Sequence, residues 1–343
     1  MTAQHIDATI PRPDTAPVLE VEDLRTYLFT SWGTTKAVDG VSFTLKAGET
    51  LGIVGESGSG KSMLALSLVR LPPEPAGRIV GGKVVLNGRD LLGLSEKEMR
   101  NVRGKEISMI LQDPQQSLNP VFSVGNQLEE AIRVHDRDAD DDVVRERSLQ
   151  ALKSVHVPAP ERRLKNFPHQ MSGGMKQRIV GAMAMAYQPQ VLIADEPTTA
   201  LDVTIQAQYL RLLKDLQHRT GVGIILITHD FGVVAEACDN VAVMYAGRFV
   251  EQAPVEEIFD DPRHPYTRAL LDSRPKADLK ATRLQSIEGQ PPSLTDLPVG
   301  CRFAVRCAYA IDKCHDEYPP TMSLAEGHVA ACWRSEEVPW VSR

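Results

Sequence analysis

Cysteine is scarce in this chain: there are five among 343 residues, and four of them (Cys301, Cys307, Cys314 and Cys332) fall in the last segment. Long apolar runs are missing as well, none approaching the roughly 18 residues that a membrane-spanning helix needs. Positive charge is not in excess. With 38 basic against 45 acidic residues the net charge is −7, which argues against nucleic acid bound through a broad basic face. The start, "MTAQHIDATIPRPDTAP", lacks the charged-then-apolar pattern of an export signal, and its prolines and polar residues read as a disordered leader over 1–17. Without such a signal the expected compartment is the cytosol, where thiols stay reduced. No internal repeat is visible.

What is present is ordinary for a globular chain: 42% apolar and 24% charged residues. The length exceeds what one small core needs, so two domains, or one domain with an appendage, are expected. "VLEVEDLRTYLF" and "KAVDGVSFTL" alternate as strands, and "ETLGIVG" is a short buried run ending in glycine. "KSMLALSLVRL" has helical spacing, and 115–188 is mostly helical in pattern, interrupted by the acidic run "DRDADDD", which reads as a solvated loop. The apolar runs "VLIAD" and "GIILITHD" flank a helical stretch, and "NVAVMYAGRFVE" adds strands. Strands alternating with helices predict a mostly parallel sheet covered on both faces. Past Pro262, prolines, turn residues and cysteines take over, placing a boundary near residue 260.

"GESGSGKS" matches G-x-x-x-x-G-K-S/T at Gly55, Glu56, Ser57, Gly58, Ser59, Gly60, Lys61 and Ser62. It follows a predicted strand and opens a predicted helix, the context in which this pattern cradles phosphates on backbone N–H groups. Lys61 supplies a point charge for the phosphates, and the Ser62 hydroxyl can ligate Mg²⁺. In "VLIADEPTTALD" four apolar residues deliver Asp195 to a strand end, where a carboxylate can hold Mg²⁺. Glu196 then points elsewhere and can polarise a water as general base. Two carboxylates with separate tasks indicate hydrolysis rather than transfer to a second substrate.

"MSGGMKQR" lies shortly before that strand, and His229 ends "ILITHD" roughly thirty residues after it. With these elements residues 18–260 resemble the ATP-binding cassette (ABC) ATPases. The resemblance implies an α/β P-loop fold, a RecA-like core with antiparallel β and helical subdomains, the helical one at about 115–188. In that family's terms Gly55–Ser62 is the Walker A loop, Gln112 in "MILQDP" the Q-loop, Ser172, Gly173 and Gly174 the signature, Asp195 and Glu196 Walker B, Asp202 in "ALD" the D-loop, and His229 the switch histidine. It implies that the signature caps ATP held on a second subunit, with Glu196, His229 and Gln112 catalytic and Ser62, Gln112 and Asp195 around Mg²⁺. Family members stack adenine on an aromatic in the first strand. That register falls here on Leu28, flanked by Tyr27 and Phe29, so the stacking residue stays open.

"HPYTRALLDSRP", "IEGQPPSLTDLPVGCRFAVRC" and the "AC" before Trp333 resemble the C-terminal extension (261–343) of the dipeptide/oligopeptide importer ATPases, D-type subunit. This implies peptide uptake through two transmembrane permease subunits, an F-type ATPase partner or a homodimer, an extracytoplasmic peptide-binding protein acting indirectly, and a peripheral place on the cytoplasmic side of the inner membrane. Nickel or another small solute, and a soluble non-transport ABC ATPase, are the alternatives. The spacing C-x5-C-x6-C-x17-C matches neither a zinc ribbon nor a ferredoxin run, so metal site, free thiols and disulfides all stand open on spacing. His315 and His328 are nearby alternative ligands, and Cys238 reads as a core thiol. The resemblance implies a four-iron, four-sulfur (4Fe-4S) cluster on the four cysteines, with Zn²⁺ as the alternative.

Overall fold

The computed structural model describes residues 16–113, 117–199, 201–273 and 287–337. Most of the expected leader, part of the segment after Gln112, and Ala200 lie outside them. Twelve strands form two sheets among the described residues. The smaller is antiparallel, in the order β2-β1-β4-β5, from β1 (Pro17–Thr30), β2 (Gly33–Lys46), β4 (Gly77–Leu86) and β5 (Arg89–Asp90). The larger runs β11-β12-β10-β9-β3-β8-β7-β6. Its parallel part comprises β3 (Thr50–Val54), β6 (Ile107–Ile110), β7 (Val191–Asp195), β8 (Gly223–Thr228) and β9 (Asn240–Tyr245). Beyond β9 the sheet turns antiparallel through β10 (Arg248–Pro254), β12 (His328–Ala330) and β11 (Met322–Ala325). The chain past residue 260 thus returns to the cassette and extends its sheet.

The period of two in a strand decides what each face touches. On β8, Ile225 and Ile227 pack with the antiparallel sheet and with helix α1 (Lys61–Leu68), whereas Ile224 and Leu226 face the helical side. Both faces are covered, which is why "GIILIT" reads as one continuous apolar run rather than an alternating one. The region expected to be helical contains helices Val124–Arg133, Asp141–Ser154, Pro160–Arg163 and Gly173–Ala184. The acidic run is not wholly a loop. Asp140 caps Asp141–Ser154 by accepting from the Asp142 N–H at 2.9 Å, and Asp141 pairs with Arg133. Carboxylates at a helix start are stabilised by the unpaired N–H groups there, an effect that charge counting alone misses.

Candidate functional site

Gly55–Ser62 joins β3 to α1, and the loop curls because its glycines permit it. At Gly60, with φ 108°, an added Cβ would lie 2.1 Å from the Ala37 carbonyl oxygen; at Gly55 it would lie 2.2 Å from that of Met244. No side chain fits either place. Lys61 is buried inside the curl, its Nζ donating to the Gly55 carbonyl at 2.8 Å and the Glu56 carbonyl at 3.0 Å. Burial lowers its pKa, while the charges of Glu196, Asp195 and Glu56 oppose the shift.

Asp195 ends β7 with its side chain buried, and Oδ1 has no hydrogen-bond partner among the described residues. Burial raises its carboxyl above the usual range, against hydrogen bonding to Ser62 and the charge of Lys61. A buried carboxylate oxygen without a donor is costly unless a cation meets it, so the donor set formed by Asp195 and Ser62 suits Mg²⁺. The next residue leaves the strand abruptly: Glu196 has φ 44°, a left-handed value rare outside glycine. This turn separates the two carboxylates. Glu196 Oε2 accepts from Gln112 Nε2 at 3.1 Å and from the Thr199 hydroxyl at 3.0 Å, and lies 3.4 Å from His229 Nδ1. Residues 84 and 33 positions away from Glu196 in sequence thereby meet one carboxylate oxygen. Thr199 was not singled out from the sequence.

Ser172 caps helix Gly173–Ala184, accepting from the Met175 N–H at 3.4 Å, and Asp202 caps helix Val203–Thr220, accepting from Ile205 at 3.0 Å. Gly174 is needed where the two helix starts meet, since a Cβ there would come within 2.6 Å of Ile205. Ser172, Gly173, Gly174 and Asp202 line one surface hollow of about 810 Å³, and no residue of Gly55–Ser62 lines it. The signature and the phosphate loop therefore belong to different parts of the surface.

Of the aromatics near the adenine register, Tyr27 donates its hydroxyl to Asp39 Oδ1 at 2.6 Å, whereas Phe29 is 44% exposed with the Arg78 guanidinium 5.7 Å from its ring centre. Asp39 is buried and also accepts from Arg248 at 3.1 Å and from buried Arg302, next to Cys301. Burial would raise its pKa, but hydrogen bonds from Tyr27 and Arg302 and the charges of Arg302 and Arg248 bring it down to about 2.

Cys301, Cys307, Cys314 and Cys332 line one cavity of about 20 Å³, and all are free thiols. Burial, reinforced by the neighbouring thiols, pushes Cys301, Cys307 and Cys332 up to about 11. Among the described residues no three His, Cys, Asp or Glu side chains converge to hold one metal ion. His315 is exposed, and His328 is buried against Glu251 at 2.9 Å, so neither alternative ligand lines the cavity. His264 does line it, which the sequence reading missed. Cys238 is in the core, as expected, pushed up to about 12 by burial. No helix among the described residues is long and apolar enough to cross a membrane.

A glycine-rich loop between strand and helix, a buried strand-end aspartate, a diverging glutamate met by Gln and His, and a separate serine-capped helix start are the arrangement of a P-loop ATPase of the cassette type. The ABC transporter family model matches residues 38–199, and the model of the oligopeptide/dipeptide transporter C-terminal region matches 250–314. The chain is 53% identical over 322 residues to a probable peptide ABC transporter ATP-binding protein, y4tR, of Sinorhizobium fredii, covering 94% of this chain and 96% of that one. It is 50% identical over 317 residues to the oligopeptide transport ATP-binding protein OppD of Bacillus subtilis, covering 92% and 88%. Among solved structures, a dimeric ATP-binding cassette in a post-hydrolysis state bound to ADP and Pi superposes with a TM-score of 0.61 at 26% identity, covering 69% of this chain and 98% of that one. The chain belongs to the ABC transporter ATP-binding protein family, in the branch carrying the oligopeptide/dipeptide C-terminal region, and is an ATPase.

Proposed function

We propose that this chain powers uptake of di- and oligopeptides as a peripheral ATPase subunit on the cytoplasmic face of a membrane importer. The convergence of Gln112, Thr199 and His229 on Glu196 carries the mechanism, and the likeness to peptide-transport ATP-binding proteins across both chain regions supports the solute. Residues 18–260 are the nucleotide-binding unit, with its helical part at about 115–188, and 261–343 the extension. ATP phosphates enter the curl of Gly55–Ser62, where backbone N–H groups and Lys61 neutralise their charge. Ser62, Asp195 and Gln112 would hold Mg²⁺, which supplies charge to the phosphoryl oxygens. Glu196 takes the proton of the attacking water, His229 orients the γ-phosphate, and Thr199 helps hold the Glu196 carboxylate in place. Ser172, Gly173, Gly174 and Asp202 meet ATP held by a second ATPase subunit, an F-type chain in this reading. The separation of the signature hollow from the loop supports that pairing.

The four thiols are the donor set of a soft metal centre. The likeness of the C-terminal region to the oligopeptide/dipeptide transporter extension, rather than the geometry of the thiols, is what favours a 4Fe-4S cluster over Zn²⁺ in this reading. At about 20 Å³ the cavity takes roughly one water, so its walls would have to repack to admit a cluster. Such a cluster would tie residues 301 to 332 together without entering ATP hydrolysis. Anaerobic purification with iron analysis and an absorption spectrum tests this; a colourless, iron-free, folded protein refutes it.

Co-purification tests the main reading. Two permease subunits are expected to come with the chain, and its ATPase rate to rise when peptide-loaded binding protein is added. A chain that never associates with permeases, with a rate indifferent to peptide-loaded binding protein, refutes it.

A further inference from the structure

Glu56, the second residue of the phosphate loop, is held from outside the loop. Its backbone N–H donates to the Tyr266 hydroxyl at 2.8 Å. Both its carboxylate oxygens accept from Arg306, Oε2 from Nη1 at 2.7 Å and Oε1 from Nη2 at 2.9 Å. This is the two-pronged geometry in which guanidinium and carboxylate fix each other's orientation as well as distance. Arg306 is itself immobilised. Nη1 also donates to the Tyr245 hydroxyl at 3.2 Å, Nη2 to the Ile287 carbonyl at 3.4 Å and Nε to the Glu288 carbonyl at 3.0 Å. All five donors of the fork are engaged, and the side chain is 4% exposed. Tyr266 is as rigid: it is fully buried, with Tyr245 4.5 Å and Phe303 5.3 Å away between ring centres.

Both grips come from beyond residue 260, yet they act on the residue whose carbonyl receives Lys61 Nζ at 3.0 Å. A phosphate loop binds only when its N–H groups and lysine are aimed at one point, and a loop that must order itself on binding loses affinity. We propose that Arg306 is a positioning residue for nucleotide binding, supplied by the C-terminal extension, which with Tyr266 holds the phosphate loop in its binding shape through Glu56. This rests on the reading of Gly55–Ser62 as the ATP site.

The test is steady-state ATPase of the full chain in its assembled transporter, with binding of a fluorescent ATP analogue to the full chain. Arg306→Ala raises KM for MgATP and weakens analogue binding about tenfold, with kcat falling no more than about two-fold. Arg306→Lys, which restores charge but not the fork, recovers part of the loss. Glu56→Gln raises KM to a similar degree, and the double variant Arg306→Ala/Glu56→Gln is no worse than the weaker single one, because both remove one interaction. Should Arg306→Ala not fold, Glu56→Gln alone carries the prediction. Wild-type KM in either single variant, or losses that multiply in the double variant, would overturn the proposal. If the wild-type chain binds no nucleotide at all, the ATP-site reading fails instead.

Discussion

Glu196 gathers more of the site's geometry than any other side chain, since three side chains from three segments meet one of its oxygens. Glu196→Gln keeps the shape and removes the proposed proton acceptor, so turnover is expected to fall roughly 10²- to 10⁴-fold while MgATP still binds. Single-turnover hydrolysis beside equilibrium binding separates the two. Asp39 makes a different kind of prediction. Its carboxyl is held at about 2, below its ordinary value of 3.8, so the stability it contributes is complete above pH 4 and is lost as pH falls towards 2. That loss amounts to roughly 2 kcal/mol at about 1.4 kcal/mol per pH unit. Comparing acid unfolding of the wild type with Asp39→Asn checks it: the variant is less stable at neutral pH, and the gap narrows only at the acid end. Asp39 was not legible in the sequence, because its partners Arg248 and Arg302 lie 209 and 263 positions away.

At the scale of elements, the phosphate loop and the signature helix were readable because each is a local device: glycines where the backbone crowds, a serine where a helix starts. Gly60→Ala tests the first. The positive φ and the Ala37 carbonyl together leave the methyl no place, so nucleotide binding should be lost while the bulk of the fold survives, as read by analogue binding and circular dichroism. The acidic run was misread because charge counting treats a run as uniform, whereas only its end meets the start of a helix. Ser95 offers a control distant in kind. It closes a capping box on Glu96–Val102, and Ser95→Ala should lower thermal stability by about 1 kcal/mol with the ATP KM intact.

Across the whole molecule, the alternation of strand and helix announced the parallel core, and the change in composition near residue 260 set the later residues apart as an appendage. What composition did not reveal is where the appendage goes. Arg306 and Tyr266 carry no motif that points to Glu56, since a long-range ion pair leaves no local periodicity. The same return of the chain has a second effect, on the sheet's rim. β12 pairs with β10 through Glu251–Ala330 and Gln252–Val329, and β11 lies beyond it. A cassette shortened at residue 286 would leave the backbone of β10 bare along that rim, and a bare strand edge recruits other strands. Such a shortened chain is expected to sediment as concentration-dependent aggregates where the full chain stays dispersed. The cysteine-bearing tail thus moves the open rim of the sheet from the seven residues of β10 out to the four of β11, a shorter template for a foreign strand.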